Sequence, residues 1–269
     1  MTKIEWTDKT INPIVGCSHA GPGCSNCYAE KMAGRLAHVN NSGTAHYRQV
    51  VKGGRWTGKT AYFLTDSAKK VLAMRKPQAV FVNSMGDWFH PSVSDELRLQ
   101  CFQMLAAHDH HQYQLLTKRP QEMERFFVDH YPYPNFQPHL ILGASICTNS
   151  EMKSLGHLRS LQIVGQNTFA SFEPWLSDSF DVSPDQIRVS LDWGIIGGES
   201  GPGARQFHQR ALEQCIQVFK DAEVPLFVKQ MGRYGPSSLP FEEWPSSWQI
   251  RQFPQCMRSV RSEVMGAII

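Results

Sequence analysis

The residues of this chain most suited to chemistry are Cys17, Cys24 and Cys27, which have the spacing C-x6-C-x2-C in a glycine-rich stretch. Cysteine thiolates bind zinc or iron–sulfur clusters, and pairs of thiols form disulfides. A structural zinc site needs four ligands, and His19, which could supply the fourth, is uncomfortably close to Cys17. A disulfide leaves one thiol unpaired. A four-iron cluster bound by three thiolates leaves one iron open to an exogenous ligand, and the spacing favours this interpretation while leaving zinc open.

A second group of polar side chains follows short apolar runs, at the point where each run ends. Carboxylates, amides, cations and hydroxyls recur there in successive units, which packing does not explain, although some of them can serve as caps or structural ion pairs. In parallel α/β folds ligands bind at the carboxyl ends of the strands, and a barrel gathers those ends around one mouth. The residues expected at that mouth are Cys17, Asn83, Ser84, Asp87, Thr117, Lys118, Arg119, Ser145, Glu173, Glu199, Ser200, Lys229 and Gln230.

The elements that position these groups are predicted from the apolar runs. Six runs rich in Val, Ile, Phe and Leu begin 25 to 33 residues apart, at Val80, Tyr113, Leu140, Thr168, Trp193 and Leu226. Runs that are apolar on both faces are typical of strands buried in a parallel sheet. Helical patterns separate them, with Ser94 as a predicted N-cap and with Leu212, Ile216 and Phe219 on one helix face. This repeat predicts an α/β fold, a partial or full (β/α) TIM-type barrel with parallel strands.

The chain is predicted to form a single barrel domain, residues 1–269, with two additions. A seventh strand is expected in "TINPIVG", residues 10–16, directly before the cysteines, and one helix follows them in "CYAEKMAGRLAHV". A Gly-, Lys- and Arg-rich insertion at about residues 40–62 is expected to form a loop or a small subdomain. The Pro- and Ser-rich tail, about residues 233–269, is expected to wrap the barrel without a core of its own.

Composition and charge limit the partners and the location. The net charge of +3 and pI near 8.5 permit a nucleic-acid partner without arguing for one. The N-terminus "MTKIEWTDKT" lacks the apolar segment of a signal peptide, and no apolar stretch reaches the roughly 18 residues of a membrane helix. We therefore expect a cytoplasmic protein with no membrane partner. Thiols stay reduced in the cytoplasm, which weakens the disulfide interpretation of the cysteines.

An ordered set of seven motifs closely resembles a three-cysteine-motif family of phage and bacterial proteins of largely unknown function. These motifs are "GCSHAGPGCSNCYAE", "WTGK", "VNSMGDWFH", "LLTKRP", "SFEPW", "GGESGPGAR" and "VKQMG", and they cover nearly the whole chain. That family in turn resembles a divergent branch of the radical S-adenosylmethionine superfamily, with spore photoproduct lyase among the nearer analogues. The usual spacing of the superfamily is C-x3-C-x2-C with an aromatic residue just before the last cysteine. Here the first interval is longer, and Tyr28 follows the last cysteine.

The resemblance implies that Cys17, Cys24 and Cys27 bind a 4Fe-4S cluster whose open iron is chelated by S-adenosylmethionine. With one electron from an external donor, cleavage of that cofactor releases a 5′-deoxyadenosyl radical, which takes a hydrogen atom from a substrate. The protein of such a system binds and orients the reactants and excludes water.

The resemblance also implies roles for the residues at the strand ends. Asp87 lies where the superfamily places its ammonium-binding motif, and Lys118 or Arg119 is a candidate for the cofactor carboxylate. "GGES", residues 197–200, has the letters of that ammonium-binding motif but lies at the sixth run. Cys147 is either a hydrogen donor to a substrate radical or an idle buried thiol. The predicted cofactor-binding residues are Ser84, Asp87, Lys118, Arg119, Ser145, Glu173, Gly197, Gly198 and Glu199, and the predicted catalytic residues are Cys147, Lys118 and Glu199.

One basic segment, "KGGRWTGK", suggests a substrate class. It combines cations, flexible glycines and an aromatic ring, which suits a phosphate backbone with a base to stack upon and equally suits an ordinary surface loop. A substrate in DNA or RNA, or a nucleotide, follows from the first interpretation, and a base within a duplex has to be extracted from the stack. The candidate nucleic-acid contacts are Lys52, Arg55, Trp56 and Lys59.

The alternative class is a metal-bearing nucleic-acid-binding protein without radical chemistry, in which the cysteines hold zinc or a structural cluster. A binding module does not need strand-end carboxylates and cations to converge beside the metal. The positions of those side chains in the fold therefore bear on the choice between the two hypotheses.

Overall fold

Seven parallel strands form one sheet that curls into a half-barrel flanked by helices. The structure is a computed structural model that describes residues 4–131, 135–201, 203–232, 241–257 and 260. Its strands in chain order are β1 (Lys9–Ile11), β2 (Ile14–Val15), β3 (Val51–Lys52), β4 (Arg55–Trp56), β5 (Ala61–Tyr62), β6 (Ala79–Val82), β7 (Gln112–Thr117), β8 (Leu140–Ser145), β9 (Asn167–Phe172), β10 (Trp193–Gly197) and β11 (Leu226–Gln230). The large sheet has the order β1-β6-β7-β8-β9-β10-β11, which confirms the α/β class and the partial TIM-type barrel.

Helices alternate with the strands of this sheet, as the repeat predicts. They are α1 (Tyr28–Ala37), α2 (Tyr47–Val50), α3 (Asp66–Leu72), α4 (Asp95–Ala106), α5 (Pro120–His130), α6 (Leu155–Ile163), α7 (Pro184–Arg188) and α8 (Gln209–Ala222). The Ser94 hydroxyl accepts a hydrogen bond from the Leu97 N–H at 3.3 Å, so the predicted N-cap of α4 is present. Among the described residues, no helix is long and apolar enough to cross a membrane.

The two faces of the sheet bury different side chains because residues alternate across a strand. One face of β6 turns Val80 and Val82 toward the helices and joins their apolar cluster. The other face of the sheet carries Phe81, Phe169 and Trp193, which pack with Trp6 inside the half-barrel. This inner packing fills the lower part of the barrel and leaves the carboxyl ends of the strands as the open end.

The predicted seventh strand over residues 10–16 is wrong in its extent. Only Lys9–Ile11 pairs with β6, whereas Ile14–Val15 forms β2 and pairs antiparallel with β5. Pro13 separates the two segments and has no N–H to donate to a sheet, so the strand cannot run through it unbroken. The cysteines therefore follow β2, which belongs to a two-stranded sheet outside the half-barrel.

The predicted insertion forms defined elements. It contains α2 and a hairpin of β3 and β4 whose turn residues, Gly53 and Gly54, both have positive φ. Of the predicted wrapping tail, residues 241–257 and 260 are described, and the rest lies outside the described residues. The segment around Arg251 lies along the β11 edge, where the Val228 N–H donates to the Ile250 carbonyl and the Gln252 N–H donates to the Leu226 carbonyl.

Candidate active site

The strand ends open into a cavity of about 1060 Å³, a volume at the upper end of the range for small-molecule sites. The predicted residues that line it together are Cys17, Cys24, Cys27, Trp56, Asn83, Ser84, Asp87, Thr117, Lys118, Ser145, Glu173, Gly198, Glu199, Ser200, Lys229 and Gln230. The other predicted residues lie outside its lining, namely Lys52, Arg55, Lys59, Arg119, Cys147 and Gly197. Residues far apart in sequence therefore meet at one cavity beside the cysteines.

The cysteine loop, residues 16–27, starts at a backbone position that requires glycine. Gly16 has a φ of +97°, and a Cβ there would lie 2.3 Å from the Lys59 carbonyl oxygen. The loop then makes one 3-10 turn over Pro22–Cys24 before α1 begins. The close approach fixes the start of the loop against the end of the insertion.

The three thiols face the same cavity but are not gathered around one point. No three His, Cys, Asp or Glu side chains in the described parts of the chain lie close enough together to hold a metal ion. Cys24 is buried, whereas Cys17 and Cys27 are partly exposed. Burial raises the pKa of Cys17 to about 11, and the nearby Asp87 carboxylate adds to the shift.

Glu199, which follows β10 after Gly198, holds the cysteine loop against the barrel. Its Oε2 accepts hydrogen bonds from Asn26 Nδ2 at 2.8 Å and from the Nε and backbone N of Arg205 at 3.0 and 2.9 Å. Its Oε1 accepts from Arg205 Nη2 at 2.6 Å, and Arg205 Nη1 donates to the Pro22 carbonyl at 2.9 Å. Burial by itself raises the pKa of Glu199, but the hydrogen bonds from Arg205 and Asn26 outweigh it and lower that pKa to about 2.

The carboxylate of Glu199 is therefore ionised and already occupied by partners within the chain. This occupation leaves no oxygen of Glu199 free for the cofactor or substrate contact that the sequence predicts. Asn26 and Arg205 were not predicted as functional residues. Both lie inside motifs that mark the family resemblance, "GCSNC" and "GGESGPGAR", which was the available signal.

Asp87 is a buried hub that connects the ends of β6 and β7. Its Oδ1 accepts hydrogen bonds from Thr117 Oγ1 at 2.7 Å and the Phe89 N–H at 3.0 Å. Its Oδ2 accepts from Arg119 Nη1 at 2.8 Å and the Lys118 N–H at 3.2 Å. A carboxylate has about four acceptor positions, and all of them are used here. Asp87 thus lacks the free acceptor that its predicted contact with a cofactor ammonium requires.

Arg119 extends this hub to the cysteine loop. Its Nη2 donates to the carbonyl and hydroxyl oxygens of Ser18 at 3.0 and 3.1 Å, and Nη1 lies 3.7 Å from Cys17 Sγ. The Ser18 hydroxyl also forms a hydrogen bond with His90 Nε2 at 2.8 Å. The guanidinium predicted to face a cofactor carboxylate is therefore engaged by Asp87 and Ser18.

Lys118 differs from Arg119 because its ammonium has no carboxylate partner among the described residues. Its Nζ lies 3.5 Å from Cys147 Sγ, beneath Gly23 of the cysteine loop. Cys147 is 2% exposed, and its N–H donates to Glu151 Oε2 at 2.8 Å. The predicted hydrogen-donor role of Cys147 requires an opening to the cavity that its place behind Gly23 does not provide. Lys118, in contrast, lines the cavity.

Glu173 and the end of β11 also line the cavity. Glu173 Oε1 accepts hydrogen bonds from Lys229 Nζ at 2.5 Å and Gln230 Nε2 at 3.4 Å. Gln230 Nε2 also donates to the Gly198 carbonyl at 3.0 Å. A Cβ at Gly198 would lie 2.8 Å from the backbone of Met231, so the glycine allows the ends of β10 and β11 to approach. The second oxygen of Glu173 accepts no hydrogen bond from another described residue and is free for a ligand.

One acceptor in the lining has no partner. Asn83 is 4% exposed, and its Nδ2 donates to the Ile14 carbonyl at 2.5 Å. Its Oδ1 is buried without a hydrogen bond to any described residue, and Asn83 lines the cavity. A buried acceptor without a partner is costly, which makes Asn83 Oδ1 a contact point for an N–H or O–H of a bound molecule.

The basic hairpin lies beside the cavity rather than within it. Trp56 lines the cavity, whereas Lys52, Arg55 and Lys59 are exposed to solvent. Glu30 on α1 holds the hairpin in place, because its Oε1 accepts the Trp56 N–H at 2.9 Å. Of the four predicted nucleic-acid contacts, Trp56 therefore reaches the cavity, whereas the three cations lie outside its lining.

Comparison with known proteins places the chain in a family. A family model with the description "Protein of unknown function (DUF5131)" matches residues 1–267. A search of curated proteins finds no match.

Solved structures of spore photoproduct lyase are similar at low identity. A cysteine-to-serine mutant is 13% identical with a TM-score of 0.43, and the match covers 79% of this chain and 60% of that one. A double mutant with bound AdoMet and dinucleoside spore photoproduct is also 13% identical, with a TM-score of 0.44, and the match covers 78% of this chain and 60% of that one. The match thus spans about 60% of the length of these lyase chains.

Proposed function

This chain belongs to the DUF5131 family of proteins of unknown function, and we propose that it is an iron–sulfur enzyme of the radical S-adenosylmethionine type. We further propose that it acts on a nucleic-acid base or a nucleotide. In this proposal the chain forms one barrel domain, and the insertion at about residues 40–62 forms a surface next to the cysteine loop. Thiols must be reduced to ligate a cluster, so the proposal includes a cytoplasmic location, where thiols stay reduced. Cleavage of S-adenosylmethionine also requires an external one-electron donor.

The observation that carries this proposal is the Lys118 ammonium beside the cysteine loop. A cation in a largely buried site is costly unless a negative group lies close to it. Lys118 forms no ion pair with a described carboxylate; its Nζ lies 3.5 Å from Cys147 Sγ, and the groups whose charges act on it are Cys147, Cys24 and Glu151, the last beyond ion-pair distance. Neutral thiols supply no charge, whereas thiolates that ligate a metal cluster do. An anionic group held by the cysteine loop would give Lys118 its missing counter-charge.

Three cysteines line the cavity, and no fourth cysteine belongs to its described lining. A four-iron cluster bound by three thiolates leaves one iron open to an exogenous ligand, whereas a structural zinc site needs a fourth ligand. Cys17, Cys24 and Cys27 would hold the cluster. When bound, it would supply an open iron for S-adenosylmethionine and the electron that gives a 5′-deoxyadenosyl radical.

The residues of the chain would then bind and orient the organic reactants. Lys118 offers a cation for a carboxylate, and Asn83 Oδ1 offers an acceptor for an amino group or a hydroxyl. The free oxygen of Glu173 offers a second acceptor across the cavity. Asp87 and Glu199 position the cysteine loop. Asp87 does so through Arg119, which donates to Ser18, and Glu199 accepts a hydrogen bond directly from Asn26, so the oxygens of both carboxylates are already occupied.

Anaerobic purification with metal analysis tests this proposal. We expect about four irons and matching acid-labile sulfide per chain, and release of 5′-deoxyadenosine when a one-electron donor reduces the protein in the presence of S-adenosylmethionine. Alanine at Cys17, Cys24 or Cys27 should remove the iron. Cys256→Ala is the matched control, because this partly exposed thiol lies far along the chain in the tail and should not affect iron content. One zinc per chain without cleavage of the cofactor would overturn the proposal.

A metal-bearing nucleic-acid-binding protein is the second candidate, and one observation favours it. Asp87 ties the cysteine loop to the barrel through Arg119, and Glu199 does so through Asn26 and Arg205; a purely structural metal site also needs such contacts. The same metal analysis separates the two candidates. In the binding protein, zinc or a redox-inactive cluster is present, and no 5′-deoxyadenosine is released when the protein is reduced in the presence of S-adenosylmethionine.

A further inference from the structure

The positive charge of the chain is concentrated on one surface next to the cavity, and we propose that this surface binds single-stranded nucleic acid and directs one base into the cavity. The surface, called the basic face below, consists of α1 and the segment from β3 to Lys59. Binding by the basic face follows from its charges and contacts. Delivery of a base to the cavity rests additionally on the proposed function.

The charge balance of the insertion differs from that of the rest of the chain. Residues 16–62 contain a single acidic residue, Glu30, and six basic ones, although the whole chain has 27 Lys and Arg to 24 Asp and Glu. The remainder therefore carries slightly more acidic than basic residues. The six cations are Lys31, Arg35, Arg48, Lys52, Arg55 and Lys59. Such asymmetry between segments is typical of a polyanion-binding surface.

The single carboxylate of this segment does not neutralise the surface, because it is buried inside it. The Glu30 side chain is 8% exposed and accepts hydrogen bonds from the Trp56 N–H at 2.9 Å and from Arg55 Nη1 and His19 Nε2 at 3.4 Å. It thus holds the hairpin and the cysteine loop against α1. The Arg55 side chain remains 73% exposed, so its charge is still offered to solvent.

The other cations of the basic face are free to meet an anion. Lys31, Arg35, Lys52 and Lys59 are exposed and form no ion pair with any residue that the structure describes. Arg125 differs, because it pairs with three carboxylates on α4 and α5. Unpaired cations grouped on one face are suited to the phosphates of a nucleic-acid backbone.

Two aromatic residues of the basic face also line the cavity. The Tyr28 side chain is 59% exposed although it lines the cavity, and Trp56 lines the cavity from the hairpin side. Exposed rings beside a basic groove stack the bases of single strands without sequence preference. A base that enters a cavity must leave its duplex neighbours, which costs least for a single strand. These features favour single-stranded nucleic acid over an acidic protein surface, which offers no bases to stack.

Fluorescence anisotropy with a labelled 20-nucleotide strand, as DNA and as RNA, tests the inference on the anaerobically purified protein. We expect Lys52→Ser with Arg55→Ser to weaken binding at low salt. The double variant should also reduce the slope of log affinity against log salt by about 1.4, because two phosphate contacts are lost. Tyr28→Leu should weaken binding about fivefold or more while leaving that slope unchanged, because it removes stacking and no charge.

Arg210→Ser with Lys220→Ser is the matched control, because it removes one Arg and one Lys from the exposed face of α8. This variant should bind as the original protein does. Equal weakening in both double variants would reduce the effect to overall charge and overturn the inference. Absence of binding, or a preference for duplex or for anionic vesicles, would overturn it as well. Iron content is measured on each preparation, so that the two proposals can be tested separately. A protein without iron that still binds single strands through Lys52 and Arg55 would contradict the proposed function and leave the binding surface supported.

Discussion

The side-chain amide of Asn26 donates a hydrogen bond to the Glu199 carboxylate at 2.8 Å, and this contact joins the cysteine loop to the end of β10 across 173 residues of chain. Arg205 reinforces it by donating both to Glu199 and to the Pro22 carbonyl. The loop that carries the three cysteines is thus positioned by a carboxylate at the far side of the half-barrel. The geometry of the cysteine loop therefore depends on these contacts with Glu199 and Arg205 as well as on the loop backbone.

Replacing Glu199 by Gln should loosen the cysteine loop. The substitution keeps the shape of the side chain but removes the negative charge that faces Arg205, and breaking a buried pair in this way costs about 3 kcal/mol. We expect a lower urea midpoint and less iron retained after desalting. Glu213→Gln on the exposed face of α8 is the control and should change stability by less than about 0.5 kcal/mol. Unchanged iron retention in Glu199→Gln would contradict the role of the carboxylate.

The same carboxylate predicts a pH dependence of stability. The pKa of Glu199 in the folded protein is about 2, below its ordinary value of about 4.3, because hydrogen bonds from Arg205 and Asn26 outweigh burial. A depressed pKa contributes stability that is present above the ordinary value and is lost as the pH falls toward 2. The difference in urea midpoint between the original protein and Glu199→Gln should therefore shrink between pH 4.5 and the acid limit of folding. A difference independent of pH would show that the charge of Glu199 is not the cause.

A methyl group at position 23 should push the cysteine loop away from the barrel. A Cβ on Gly23 would lie 2.3 Å from Cys147 Sγ and 3.1 Å from Lys118 Nζ. Gly23→Ala should destabilise the protein by about 1–3 kcal/mol, as overpacking does, and reduce iron content. The double variant with Cys147→Ala should recover most of the loss, because the obstructing sulfur is gone. Gly156→Ala, where a Cβ meets nothing within 4 Å, is the control for adding a methyl group. Failure of the second substitution to rescue would mean that another contact fixes Gly23.

Removing the ammonium of Lys118 should have opposite effects on the two forms of the protein. Lys118→Met removes a charge that has no carboxylate partner among the described residues, so the metal-free chain should unfold at about equal or higher urea concentration. The metal-loaded protein should lose iron faster, and its reduction potential should fall, because a positive charge near a cluster favours its reduced form. Lys153→Met, at an exposed position, is the comparison. The same change in both forms would argue against a negative group in the cysteine loop.

Much of the fold could be predicted because its signals are local. Apolar runs at intervals of 25 to 33 residues and helical patterns between them were enough for the parallel half-barrel, and Ser94 marked the start of α4 correctly. Once the strands are parallel, their carboxyl ends must lie together, which is why Ser84, Lys118 and Glu173 could be placed at one cavity. The extent of the seventh strand was the exception, where Pro13 divides it.

The sequence by itself determined which residue types reach the cavity, because strand order and side-chain periodicity are encoded locally. Only the tertiary structure decided which of these groups are free. Asp87, Arg119 and Glu199 are saturated by partners from distant segments, whereas Lys118, Asn83 Oδ1 and one oxygen of Glu173 keep unused capacity within the described residues. Whether a carboxylate accepts hydrogen bonds depends on donors from other parts of the chain that approach it to about 3 Å. The residue pattern of a single strand cannot predict which distant donors come that close.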